Sequence, residues 1–181
     1  MKIGTLEVTD KVFISDPCYD KDTWCTQTVD LPLGKYNCYV NYKDGRVANL
    51  YIVQQGHNIR SSVYVSGDDI GTCGVDSGQL GIFNYNKFKE HIDKKTFEKS
   101  LKNDFPYEEW KSQYDEKDNA EKTFYKCCCN HTINNKNAGI IKNVGIVSST
   151  GYGDGCYPVY LMKTVSKDSC ETVGIYVEFI E

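Results

Sequence analysis

Lys35-Tyr36-Asn37-Cys38-Tyr39-Val40-Asn41-Tyr42-Lys43-Asp44-Gly45-Arg46-Val47-Ala48-Asn49-Leu50-Tyr51-Ile52-Val53 reads as two strands joined by a turn. Residues 35–42 alternate with period two, as a half-covered strand does. Asp44-Gly45 is a signal for a two-residue primed turn, whose positive φ angles match the twist of paired strands. The return strand runs through Val53. An antiparallel sheet is therefore the expected foundation of the fold.

Working outward, Leu6-Glu7-Val8 and Val12-Phe13-Ile14 flank a turn at Thr9-Asp10 and read as a short strand pair. Asp16-Pro17 ends the second strand, because proline has no N–H for a ladder. Residues 18–30 read as an irregular loop with Trp24 as its anchor. Val63-Tyr64-Val65 is a strand candidate, and the glycine-rich stretch from Gly71 to Gly81 reads as turns.

From Asn84 to about Asn137 the texture becomes charged and helical. Phe88, His91 and Ile92 share a face at i, i+3, i+4. Tyr107–Lys111 and Ala120–Cys129 read as further helices. Strands resume at Gly139-Ile140-Ile141 and Val144-Gly145-Ile146-Val147. Pro158–Met162 is expected to pair with Thr172–Phe179 around a turn at Lys167-Asp168-Ser169. The sum is a single α+β domain over residues 1–181, a mostly antiparallel sheet core with a helical insertion at about 84–137.

The chain has 181 residues, is 40% hydrophobic and 13% aromatic, and so is expected to fold around its own core. Tyrosine, with 14 copies, dominates the aromatics and suits half-buried strands and contact surfaces. The net charge is −4, and only two of the 21 basic residues, Arg46 and Arg60, are arginines. No basic run is present, which argues against a nucleic-acid polymer as partner. No apolar run approaches the roughly 20 residues of a membrane span. The partner expected is a small molecule or a protein, and the sequence leaves the oligomeric state open.

Nine cysteines are an odd count, and Cys127, Cys128 and Cys129 are consecutive. Met1-Lys2-Ile3-Gly4 leads straight into a strand-like segment, with no secretory leader expected. Reduced thiols and a cytoplasmic location follow. Structural zinc needs cysteine pairs spaced so that both thiols face one point, and no second pair accompanies the triplet. It is expected to feed a helix core, and no metal ligands are assigned. Cys18 is expected as a small buried side chain, since nothing places His57, His91 or His131 beside it.

Three acidic turns stand out. Ser149-Thr150-Gly151-Tyr152-Gly153-Asp154-Gly155 brackets one carboxylate with glycines that permit close approach. Ser15-Asp16-Pro17-Cys18-Tyr19 ends a strand with an acid. Asp76-Ser77-Gly78-Gln79 places an acid, a hydroxyl and an amide in one turn, a set that fixes polar ligands. Each also reads as a turn whose acid satisfies free backbone amides, and for Asp16 taken alone an Asx-turn acceptor is the favoured reading. No phosphate loop, dinucleotide fingerprint, serine elbow or HExxH pattern occurs, so neither a cofactor nor a catalytic residue is assigned.

The order of the motifs is distinctive. Ser15-Asp16-Pro17-Cys18-Tyr19, Leu33-Gly34-Lys35-Tyr36, Gly74-Val75-Asp76-Ser77-Gly78-Gln79-Leu80-Gly81-Ile82-Phe83 and Ser149 to Tyr160 follow one another along nearly the whole chain. The set resembles a family of bacterial and phage proteins known as a domain of unknown function. The resemblance implies one α+β domain, with Asp16, Asp76, Gln79 and Asp154 in a shared feature.

Three functions follow as expectations. The first is a small-ligand-binding protein, sequestering a nucleotide-like or sugar-like signal in a phage or bacterial defence setting. Its ligand would meet Asp16, Tyr19, Asp76, Ser77, Gln79, Tyr152, Gly153, Asp154 and Gly155. The second is a metal-assisted hydrolase with Asp16, Asp76 and Asp154 on one hard cation. The third is a protein-interaction or immunity module using the tyrosine-rich sheet face.

Overall fold

The computed structural model describes residues 1–57, 63–90, 92–101, 120–133, 136–165 and 170–181. Two antiparallel sheets stack face to face. One has six strands, β1 (Lys2–Val8), β4 (Gly34–Lys43), β5 (Arg46–Gln54), β11 (Cys170–Glu178), β10 (Gly155–Val165) and β6 (Val63–Val75), in that spatial order. The other has five, β3 (Gln27–Val29), β2 (Val12–Ser15), β7 (Gln79–Asn84), β9 (Gly145–Ser149) and β8 (Ala138–Ile141). Among the described residues, α1 (Lys94–Ser100) and α2 (Ala120–Thr132) lie in the expected helical insertion. The α+β, mostly antiparallel expectation holds. No helix among the described residues is long and apolar enough to cross a membrane.

Alternation along the strands of the five-stranded sheet sorts its side chains into two cores. Val12, Ile14, Leu80, Ile82 and Ile146 point from the five-stranded sheet into the sandwich, where they meet Tyr36, Cys38, Leu50, Ile52, Val159 and Ile175. The other parity of the same strands, Phe13, Phe83 and Val147, faces the helices and packs with Phe88, Phe97, Phe124, Cys127 and Cys128. Phe13, Phe83, Phe88 and Phe124 meet at tilted or edge-on angles with centroids 4.8–5.4 Å apart, the geometry aromatic quadrupoles favour. Strands covered on both faces carry apolar residues at both parities, which is why β2 is buried at all four positions.

The Asp44-Gly45 turn forms as read. Both residues have positive φ, 51° and 77°, and Lys43 pairs with Arg46 across it. The first expected strand pair does not form: β1 joins β4 in one sheet, while β2 joins β3 and β7 in the other. The Asn84 amide holds the crossover, accepting from Thr9 N and donating to the carbonyls of Glu7 and Asn143. The stretch read as turns from Gly71 is strand through Val75. Pro158 sits inside β10 without breaking it, because pairing with β11 begins only at Val159. Phe88 and Ile92 are both buried, although neither lies in an α-helix. His91, Tyr107–Lys111 and the Lys167-Asp168-Ser169 turn lie outside the described residues.

Candidate functional site

Asp16 is fully buried at the end of β2. Its Oδ2 accepts the backbone N–H groups of Asp76 (2.9 Å) and Ser77 (2.8 Å). Its Oδ1 accepts the Cys18 N–H (2.8 Å) and the Ser77 hydroxyl (2.6 Å). A buried carboxylate carries a heavy desolvation cost unless donors surround it, and successive backbone amides meet that need. Asp16 is thus the clamp that holds the turn between β6 and β7.

The turn is gripped from a second side. Asp154 Oδ1 accepts Gly78 N–H at 2.9 Å, and Thr150 N–H donates to Gly78 O at 3.1 Å. The Gly151–Gly155 turn is itself braced. The Gly153 carbonyl accepts from Thr150 Oγ1 (2.7 Å) and the Tyr157 hydroxyl (2.6 Å). The three acidic turns therefore meet. Among the described residues, however, no group of three or more His, Cys, Asp and Glu side chains is arranged to hold a metal ion.

Beside the joined turns lies a cleft of about 430 Å³, lined by Tyr19, Thr23, Trp24, Cys25, Asp76 and Asp154 together with Gly74–Val75 and Gly155–Cys156. Its rim is the loop between β2 and β3. Trp24 stands 90% exposed there, which overturns its reading as a buried anchor. Its sequence neighbours Asp22, Thr23 and Thr26 are polar. Burial first, then the neighbouring Asp76 carboxylate, raises the pKa of the Tyr19 hydroxyl well above that of an ordinary phenol. It stays a neutral donor at any physiological pH.

The remaining expected site residues are dispersed. Ser77 serves Asp16. Gln79 shares parity with Phe83 and faces α2, where its amide donates to Cys129 Sγ (3.3 Å) and accepts from Thr132 Oγ1 (3.0 Å). Tyr152 is 72% exposed with the Arg46 guanidinium 5.0 Å from its ring centroid, away from the cleft lining. Gly153 braces the turn through its carbonyl. Tyr19, Asp76, Asp154 and Gly155 line the cleft together. Thr23, Trp24, Cys25 and Cys156 also line it and were missed, since a polar loop and isolated cysteines carry no pattern that marks them.

Cys18 is exposed, not buried as expected, and lines a second cleft of about 240 Å³ with Pro17, Lys89, Glu121, Lys122 and Tyr125. Partial desolvation of the thiol, followed by the neighbouring Asp16 carboxylate, pushes its pKa up to about 12. It remains a thiol at neutral pH and is no activated nucleophile. All nine cysteines are free.

No curated protein and no solved structure matches the chain. Residues 8–173 match the model of the family described as "Protein of unknown function (DUF4241)", and the chain belongs to that family.

Proposed function

We propose that this protein binds a small polar organic molecule in the Trp24 cleft. The observation that carries the reading is Trp24 itself, 90% exposed at the rim of a concave site. Covering about 100 Å² of that ring is worth about 2.5 kcal/mol at about 25 cal/mol per Å². The ligand stacks one flat face on Trp24. Its hydroxyl or amino groups donate to Asp76 and Asp154, the acceptors at the cleft wall. Nucleoside-like and sugar-like molecules have that shape.

No Lys or Arg is among the residues lining this cleft. Phosphate recognition relies on such cations. A nucleotide-like signal is therefore held by its base and ribose, with phosphates directed to solvent. Sequestering such a signal in the bacterial cytoplasm, in a phage or bacterial defence setting, is the role we assign, and nine free thiols suit that compartment. Asp16 stays outside the ligand set because its oxygens are taken by four protein donors. A hydrolase needing Asp16, Asp76 and Asp154 on one cation has less support.

The test is titration of a Trp110→Phe background, in which Trp24 is the sole tryptophan, with panels of nucleosides, nucleotides and sugars. A saturable fluorescence change with matching calorimetric heat is expected for one class, weakened at least tenfold by Trp24→Ala. Silence across all panels, or binding indifferent to both Trp24→Ala and Asp76→Asn, overturns the reading.

A further inference from the structure

Gly74 has no side chain, and Cys25 occupies the space. A Cβ built on Gly74 would lie 2.9 Å from Cys25 Sγ and 3.0 Å from Cys25 Cβ. The Gly74 N–H points off the sheet edge and donates to Cys25 O at 2.9 Å. In an antiparallel pair a residue turns both its N–H and C=O to the same side. Gly74 and its partner across β6–β10, Cys156, therefore form a non-hydrogen-bonded pair. Such pairs stand about 4.5 Å apart at Cα, with side chains on one face and in closest approach. Adding the two legs puts Cys25 Cβ and Cys156 Cβ within about 8 Å of each other. Both residues line the Trp24 cleft, Cys25 buried and Cys156 exposed. Cys73, next in sequence, points the other way into the sandwich core, where its thiol donates to Ile14 O at 3.3 Å.

We propose that Cys25 and Cys156 are a redox pair that a low-molecular-weight disulfide converts to a Cys25–Cys156 bond, drawing the β2–β3 loop onto β10 and narrowing the cleft. The exposed Cys156 thiolate attacks the oxidant, forming a mixed disulfide and releasing one small thiolate. The Cys25 thiolate then attacks the Cys156 sulfur and expels the second. The protein loses two protons and two electrons, and the oxidant becomes two thiols. A disulfide holds its Cβ atoms about 3.5–4.5 Å apart, so the loop moves inward by about 4 Å at most. That movement carries Trp24, the neighbour of Cys25, across the cleft mouth. The pairing stands on geometry alone; its effect on ligand affinity rests on the cleft being the binding site proposed above.

The experiment treats folded protein with oxidised glutathione, counts remaining thiols and maps disulfides by peptide mass spectrometry. Loss of two thiols per chain and a Cys25–Cys156 peptide are expected, reversed by dithiothreitol. In the Trp110→Phe background, Trp24 fluorescence changes in step. Cys156→Ser, a surface substitution that leaves the fold intact, abolishes both signals. A stable glutathione adduct on Cys156 with Cys25 still reduced, or bonds joining other cysteines, overturns the proposal. The thiol count needs no ligand, so silence in the binding panels leaves this result standing. Disulfide formation with ligand affinity unchanged refutes only the narrowing of the cleft.

Discussion

Asp154 Oδ1 accepts the backbone N–H of Gly78 at 2.9 Å, a bond between turns 76 residues apart in sequence. Asp154 is exposed, so water replaces it readily when it is removed. Asp154→Ala is expected to cost about 0.5–1.5 kcal/mol in urea denaturation, the ordinary worth of one such bond. Its effect on ligand binding should be larger, since the substitution also removes a wall acceptor. Calorimetry against whichever panel member binds wild type measures the second effect.

Asp16 differs because it is fully buried and accepts four hydrogen bonds. Asp16→Asn puts an amide N–H₂ where an acceptor was, facing either two backbone donors or a backbone and a hydroxyl donor. A loss of about 3–5 kcal/mol in folding stability is expected. Denaturation midpoints of Asp16→Asn and Asp154→Ala, measured side by side, check the order.

His131 predicts acid sensitivity. Burial lowers its pKa from 6.5 to about 4. The unfolded chain therefore binds this proton more readily than the native one. Its contribution to stability is complete above about pH 6.5 and fades as the pH falls toward 4. The loss reaches about 2–3 kcal/mol. Urea curves at pH 7 and pH 4.5 should differ less for His131→Gln than for wild type, by about that amount.

Ser148 Oγ is buried and has no hydrogen-bond partner among the described residues. Removing an unsatisfied buried hydroxyl relieves a desolvation cost of about 1 kcal/mol. Ser148→Ala should leave stability unchanged or raise it by that much, read as the thermal midpoint. A clear drop would mean the hydroxyl has a partner.

Local signals in the sequence identified what local chemistry determines. Asp44-Gly45 fixes its hairpin because the turn demands positive φ at two successive positions. The C-terminal pairing follows from apolar and aromatic content on both arms. The assignment of β1 and β2 to different sheets was not legible, because it depends on Asn84, more than 70 residues away, capturing the crossover. The meeting of the three acidic turns was legible as motif order but not as division of labour. Nothing beside Asp16 in sequence indicates that its donors come from Asp76 and Ser77, while Asp76 is left facing the cleft. Gln79 was misplaced for a simpler reason: its parity with Phe83 directs it toward the helices. Trp24 looked like an anchor because tryptophan usually buries, and the polar loop around it was the signal to the contrary.

β6 lies at the border of the six-stranded sheet, where unpaired main-chain groups invite a second chain to add a strand. The end of the β2–β3 loop and the start of β3 occupy part of that border: Cys25 O takes the Gly74 N–H, and the Gln27 side-chain amide donates to Thr72 O at 2.9 Å. The rim of the cleft is thus also a guard against sheet-to-sheet self-association. Substitutions that free this loop would be felt in solubility and aggregation rate as well as in recognition, so selection on one property constrains the other.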